Sequence, residues 1–122
     1  MEHLLHDCLH PVMLGSNALC HACVREMQKW YHLGSTVLTG RRALTLRHLP
    51  GITLVDAPCT LSDELLMTIL RDVELSGGAR IPLLVLCDKN YEGFVKRNRP
   101  GLEERFILRS AEDILGEYSR EF

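Results

Sequence analysis

The sequence lacks any apolar run close to the roughly 20 residues that a membrane-spanning helix needs. Its first residues, Met1 to Cys8, have neither a basic start nor a long apolar stretch, so we expect no secretion signal and an intracellular, cytoplasmic protein. An excess of one charge sign is also lacking, because 14 Lys and Arg stand against 16 Asp and Glu, a formal net charge of −2. No overall electrostatic field would therefore draw the chain to nucleic acid or to an anionic membrane, although a local basic patch could still do so.

Cysteine is scarce, odd in number and unevenly placed. Three of the five cysteines lie within residues 8–23, while Cys59 and Cys87 have apolar flanks that are typical of small core residues. In an intracellular chain this distribution favours metal binding over a disulfide framework. The 122 residues, 46% of them hydrophobic and 25% charged, are enough for one globular domain with its own core.

A Cys-x-His pair and a Cys-x₂-Cys pair lie close together near the start of the chain. Zinc favours four thiolate or imidazole ligands in a tetrahedron, and each pair can point at one ion from a turn. The four predicted ligands are Cys8, His10, Cys20 and Cys23. His6 or His21 could replace the histidine of the first pair. Four protein ligands leave no open position for water, so we expect this zinc ion to be structural.

The segment between the two pairs predicts a hairpin. Val12–Leu14 and Ala18-Leu19 are apolar and are separated by the turn formers Gly15-Ser16-Asn17. This order, ending with two cysteines at a helix start, resembles treble-clef zinc fingers and is similar to half of a RING finger. The resemblance implies a zinc-binding segment over residues 1–34. It does not imply ubiquitin-ligase activity, because a full RING needs eight ligands.

Residues 35–122 alternate between strand and helix patterns. The predicted strands are 35–39, 52–56, 81–87 and 105–109, and the predicted helices are 41–49, 61–75, 91–98 and 110–118. Such alternation with short connections predicts an α/β fold, a small parallel sheet of about four strands flanked by helices. We expect this region to form one compact domain with the zinc-binding segment.

Parts of the second region resemble the receiver domains of two-component signalling. Arg41–Asp56 is similar to their second helix and third strand, which ends in the phospho-accepting aspartate, here Asp56. Arg80–Leu86, Phe106–Arg109 and Ala111–Tyr118 resemble the later strands and the last helix. The acidic pair that holds magnesium in receivers has no counterpart, because the zinc-binding segment takes the place of their first strand. The resemblance thus implies a degenerate, flavodoxin-like scaffold that is not phosphorylated.

Two acidic residues end predicted strands of the sheet. Asp56 and Asp88 stand where open α/β sheets place their ligand sites, so they could hold a divalent cation for hydrolysis or phosphoryl transfer. The alternative is that each carboxylate caps the element that follows it.

One basic cluster could contact nucleic acid. Lys96, Arg97 and Arg99 have Tyr91 and Phe94 close by, and basic side chains beside aromatic rings can follow phosphates and stack on bases. The alternative is an ordinary solvated helix face, because glutamates flank the cluster.

Taken together, these features favour a non-catalytic protein that is stabilised by zinc and acts by binding a protein partner, as a regulator or adaptor. A small freestanding chain of this kind would suit a phage or viral accessory protein that modulates a host factor. One alternative is a nucleic-acid-binding regulator that uses the zinc finger and the basic cluster. Another is a metal-dependent hydrolase or phosphotransfer enzyme that uses Asp56 and Asp88.

Overall fold

A parallel β-sheet of five strands forms the centre of the protein. The computed structural model describes residues 9–31, 34–40 and 51–119. The strands are β1 (Leu9–Leu14), β2 (Ser35–Thr39), β3 (Ile52–Asp56), β4 (Ile81–Leu86) and β5 (Ile107–Ser110). The helices are α1 (Ala18–Tyr31), α2 (Asp63–Ser76), α3 (Glu92–Arg105) and α4 (Ala111–Ser119), and a 3₁₀ turn at Lys89–Tyr91 precedes α3. The predicted α/β class is confirmed.

The strand order is β3-β2-β1-β4-β5, so the segment predicted to form a zinc hairpin supplies the central strand. Val12–Leu14 pair with β2 on one side and with β4 on the other, and Ala18 begins α1. Gly15-Ser16-Asn17 is therefore a loop from strand to helix, and the hairpin does not form. Its apolar residues belong to a strand that is buried on both faces, where an unbroken apolar run is expected.

This strand order differs from that of receiver domains. Flavodoxin-like sheets follow the order 2-1-3-4-5, which places the third strand at the centre. Here β3 lies at the edge of the sheet and the first strand is central. Asp56, at the end of β3, therefore lies at the edge of the sheet.

Helices cover both faces of the sheet. Along β1, Leu9 and Met13 belong to a core cluster shared with α1 and α4, whereas Val12 and Leu14 belong to one shared with α2 and α3. Successive side chains of a strand point to opposite faces, so β1 anchors both halves of the core.

The helix ends follow local side-chain chemistry. Ser62 caps α2, because its Oγ accepts a hydrogen bond from the Leu65 N–H at 3.2 Å. Ser110 caps α4 in the same way, because its Oγ accepts from the Asp113 N–H at 3.2 Å. The predicted helix at 41–49 lies outside the described residues.

Helix α3 runs past Pro100, where the sequence predicted an end. A proline inside a helix costs about 3 kcal/mol. The continued helix carries Leu102, which is fully buried, and leads into Phe106, which is 5% exposed. Burying such side chains stabilises by about 1.5–3 kcal/mol each, enough to offset the proline.

Candidate functional site

The chain reverses its direction of travel across the sheet between β1 and β4. It moves from β1 to β2 and β3 on one side, then crosses back through α2 to β4 and β5 on the other. In open α/β sheets, ligands bind outside the carboxyl ends of the strands at such a switch point. Here that position lies between the loop that follows β1 and the loop that follows β4.

These two loops are held tightly against each other. Gly15 adopts a φ of +102°, and a Cβ on it would lie 2.3 Å from the Cβ of Asp88. The backbone N–H groups of Cys87 and Asp88 both donate to the Leu14 carbonyl, at 3.1 and 3.0 Å. The Asn17 side chain donates to the Cys87 carbonyl at 2.9 Å. The walls of the switch point are thus fixed by backbone contacts.

A cavity of about 180 Å³ opens beside these loops, at the carboxyl edge of the sheet. Its polar side chains come from the ends of different strands, and the Ser16 and Thr39 hydroxyl oxygens are 2.7 Å apart. We call this cavity the carboxyl-edge crevice. It is lined by Gly15, Ser16, Thr39, Gly40, Pro58, Cys59, Asp88, Asn90 and Tyr91.

The crevice has a negative electrostatic character. Asp88 is half-buried, and its Oδ1 accepts a hydrogen bond from the Asn90 N–H at 2.9 Å, so it caps the 3₁₀ turn. The Tyr91 hydroxyl donates to the Ala57 carbonyl at 2.7 Å. Burial raises the pKa of the Tyr91 phenol to about 12, and the negative charges of Asp88 and Asp56 contribute to this rise, together with that of Cys59 when it is ionised.

The structure separates the two aspartates that the sequence put forward as a metal pair. Asp56 follows β3 and Asp88 follows β4, with β2 and β1 between them. Three strand spacings of about 4.8 Å put their backbones on the order of 14 Å apart. Within residues 9–31, 34–40 and 51–119, no three His, Cys, Asp or Glu side chains form a group that could hold a metal ion.

The predicted zinc ligands also lie on different sides of the sheet. His10 is 4% exposed, its Nε2 is 3.0 Å from the Thr36 Oγ1, and its ring packs against Gly77 after α2. Cys20 and Cys23 are fully buried under α1, on the opposite face. In this arrangement His10 does not reach the two thiols. Cys8 and the alternative ligand His6 lie outside the described residues, and His21 lies on α1, partly exposed.

The structure brings Cys20 and Cys23 together with a third thiol that the sequence did not connect to them. The Cys87 thiol, directly after β4, lies in the same core cluster as both, and its interactions with these two thiols, together with burial, raise its pKa. The Met13 Sδ lies 4.0 Å from the Cys87 Sγ. We call Cys20, Cys23 and Cys87 the thiol cluster. Cys87 is far from the Cys20 and Cys23 pair in the sequence, so no spacing rule could have connected it to them.

This burial predicts a sharp contrast in thiol reactivity. Brief treatment of the native protein with iodoacetamide should modify Cys59, which is exposed, and leave the thiol cluster unmodified. The thiolate is the reactive form, and burial in apolar surroundings disfavours it. Peptide mass spectrometry measures modification at each position, and a sample alkylated in guanidinium provides full labelling. Modification of Cys87 as fast as that of Cys59 would contradict the packing described here.

Each member of the predicted nucleic-acid cluster is paired with a carboxylate. Arg97 makes a two-point contact with Asp63, at 2.8 and 3.0 Å, which lowers the pKa of Asp63 to about 2. The other two pairs are Lys96 with Glu92 at 2.9 Å and Arg99 with Glu103 at 2.6 Å. The local charge is therefore balanced, as on an ordinary solvated helix face.

The chain matches no protein-family model, no curated protein and no solved structure. In the part of the chain that the structure describes, no helix is long and apolar enough to cross a membrane. The function must therefore be inferred from the geometry of the crevice.

Proposed function

We propose that the protein binds a small polar molecule in the carboxyl-edge crevice and has no catalytic centre of its own there. The observation that carries this proposal is the coincidence of a cavity with the switch point of the sheet. Ligand sites of open α/β sheets are found at this position, outside the carboxyl ends of the strands.

The size and lining of the crevice support a small ligand. Its volume of about 180 Å³ is below the roughly 300–1,000 Å³ of pockets for drug-sized molecules. The hydroxyls of Ser16 and Thr39, the amide of Asn90 and the carboxylate of Asp88 offer hydrogen-bonding groups at the carboxyl ends of three strands, β1, β2 and β4. Groups that converge in this way can fix the orientation of a ligand as well as its position.

The same lining argues for binding rather than covalent chemistry. A nucleophile needs a base within hydrogen-bonding distance. The Ser16 hydroxyl is hydrogen-bonded with the Thr39 hydroxyl, and the Tyr91 hydroxyl donates to a backbone carbonyl. The described residues that line the crevice include no histidine or lysine, and the hydrogen bond shown for the Asp88 carboxylate comes from the Asn90 N–H rather than from a hydroxyl or thiol of the lining.

Cys59 allows a direct test, because it is exposed and lines the crevice. We expect members of a library of small polar compounds to shift the amide resonances of Gly15, Ser16 and Gly40 in the ¹⁵N-labelled protein. Modifying Cys59 with N-ethylmaleimide places a bulky group at the crevice and should abolish those shifts. The matched control is the Cys59→Ser variant, which should bind the same compounds before and after the same treatment.

The proposal is contradicted if no compound shifts the amide resonances of the crevice residues, if the shifts map to another surface, or if they survive modification of Cys59. The thiol cluster is buried, so among the described cysteines only Cys59 should carry the reagent. Peptide mapping checks this.

The functions predicted from the sequence have less support. Binding of nucleic acid would have to use basic side chains that are already paired with carboxylates. A two-aspartate metal enzyme would need Asp56 and Asp88 to converge across two intervening strands. The zinc-stabilised adaptor that binds a protein partner stays a prediction, and zinc on Cys20 and Cys23 would require partners other than His10.

A further inference from the structure

We infer that the ligand of the carboxyl-edge crevice presents a protonated amino group to the carboxylate of Asp88. This inference rests on the proposed function and names the chemical class that the crevice accepts. It starts from Asp88, a half-buried acidic side chain that lines the cavity.

The carboxylate of Asp88 has no cationic partner among the described residues. Its Oδ1 accepts one hydrogen bond, from the Asn90 N–H at 2.9 Å. The ion pairs in the described part of the chain involve other carboxylates, those of Asp63, Glu74, Glu92 and Glu103. Partial burial of a charge without a partner is costly. A bound cation would remove this cost, and the remaining oxygen of Asp88 is available to accept from it.

The rest of the lining favours a cationic ligand over an anionic one. The described residues around the crevice include no Lys, Arg or His. Asp56 adds a second negative charge at the same edge, and both aspartates contribute to the raised pKa of Tyr91. An anion would therefore meet like charge, whereas an ammonium would form a short, charge-assisted hydrogen bond with Asp88.

An ammonium group also suits the other polar atoms of the crevice. It has three N–H donors and no acceptor, so one donor can go to Asp88 and the others to hydroxyl oxygens. The Ser16 oxygen lines the crevice and has two lone pairs, so it can accept from the ligand beside its hydrogen bond with the Thr39 hydroxyl. A compact amine, or the amino end of a larger molecule, thus fits both the charge and the volume of the site.

The test compares three molecules of similar size that differ in charge. Ethanolamine carries an ammonium, ethylene glycol is neutral, and glycolate carries a carboxylate. Each is titrated into the ¹⁵N-labelled full chain while the resonances of Gly15, Ser16 and Gly40 are followed. We expect ethanolamine to bind at least tenfold more tightly than ethylene glycol, as a charge-assisted hydrogen bond predicts, and glycolate not to bind.

Substitution of Asp88 identifies the group that carries this preference. Asp88→Asn keeps an oxygen that can accept from the Asn90 N–H, so the 3₁₀ turn should survive while the negative charge is lost. We expect this variant to bind ethanolamine at least tenfold more weakly. The matched variant Asp72→Asn, which removes an exposed carboxylate on α2 outside the crevice, should bind within twofold of the wild type. N-acetylethanolamine, which lacks the positive charge, gives a second measurement on the unaltered protein and should bind as weakly as the diol.

The outcomes separate this inference from the proposed function. Ethylene glycol or glycolate binding in the crevice as well as ethanolamine would overturn the amine inference and leave the proposed function standing. Unchanged ethanolamine affinity in Asp88→Asn would also overturn it. If none of these compounds, nor any member of the wider library, shifts the crevice resonances, both proposals fail.

Discussion

Replacing Gly15 with alanine is expected to lower the free energy of unfolding by roughly 2–5 kcal/mol. Two costs add at this position. The backbone has a φ of +102°, which L-residues with a side chain rarely adopt. The added Cβ would also lie 2.3 Å from the Cβ and 3.1 Å from the backbone nitrogen of Asp88. Because the obstacle includes backbone, the loop after β4 would have to move.

Gly78→Ala provides the matched control for this prediction. Gly78 also has a positive φ, of +63°, but a Cβ there would meet no atom within 4 Å. It should therefore cost only the backbone strain, about 1–2 kcal/mol. Urea denaturation of both variants measures the difference, which isolates the clash with Asp88. Equal destabilisation of the two variants would show that the loops after β1 and β4 are not packed as described.

Replacing Leu84 with alanine should have a comparable effect on stability, a loss of about 2–5 kcal/mol. Leu84 is fully buried in β4, the strand next to the central strand, and it belongs to the core cluster shared with α2 and α3. The truncated side chain would leave a cavity between the sheet and two helices, where the packing can relax only partly. The measurement is again urea denaturation. The free energy of unfolding should depend on urea concentration with the same slope as in the wild type, so that a shift of the midpoint reports a change in stability.

Leu75→Ala tests the same chemical change outside the core. Leu75 lies on α2 and is 72% exposed. Its truncation should change the free energy of unfolding by less than about 0.5 kcal/mol, as is usual for surface positions. A loss at Leu75 as large as that at Leu84 would mean that the exposed side chain is covered in solution, and the assignment of the core would need revision.

Most elements after Ser35 could be predicted from the sequence, because their signals are local. Apolar runs such as Ile81–Leu86 and caps such as Ser110 depend on neighbouring residues alone. The central strand was missed because the Cys-x-His pair and the turn formers Gly15-Ser16-Asn17 favour a zinc-binding hairpin, in which Val12–Leu14 is one arm. Pro11 lies opposite Leu83 in the pairing of β1 with β4, but outside the pairing of β1 with β2, which covers Val12 to Leu14.

Only part of the candidate site could be predicted from the sequence. Asp88 was found because it follows a strand, and the carboxyl ends of parallel strands are where ligands bind. The sequence suggested Asp56 as its partner in a metal site, but two strands lie between the strands that these aspartates follow. The sequence does not reveal the order of the strands in the sheet. The thiol cluster and the packing of Gly15 against Asp88 depend on that same order, so they too became visible only in three dimensions.

The central position of β1 has a consequence for how the chain acquires its structure. β2 follows β1 closely in the sequence, so these two strands can pair early in folding. The other edge of β1 pairs with β4, which is synthesised only after β3 and α2. Until then, the central strand, which is buried along its whole length in the folded protein, presents an open edge that another chain can occupy. The slow step of folding should therefore be the docking of β4, and exchange of the β4-α3-β5-α4 unit between two chains is the characteristic way for assembly to fail.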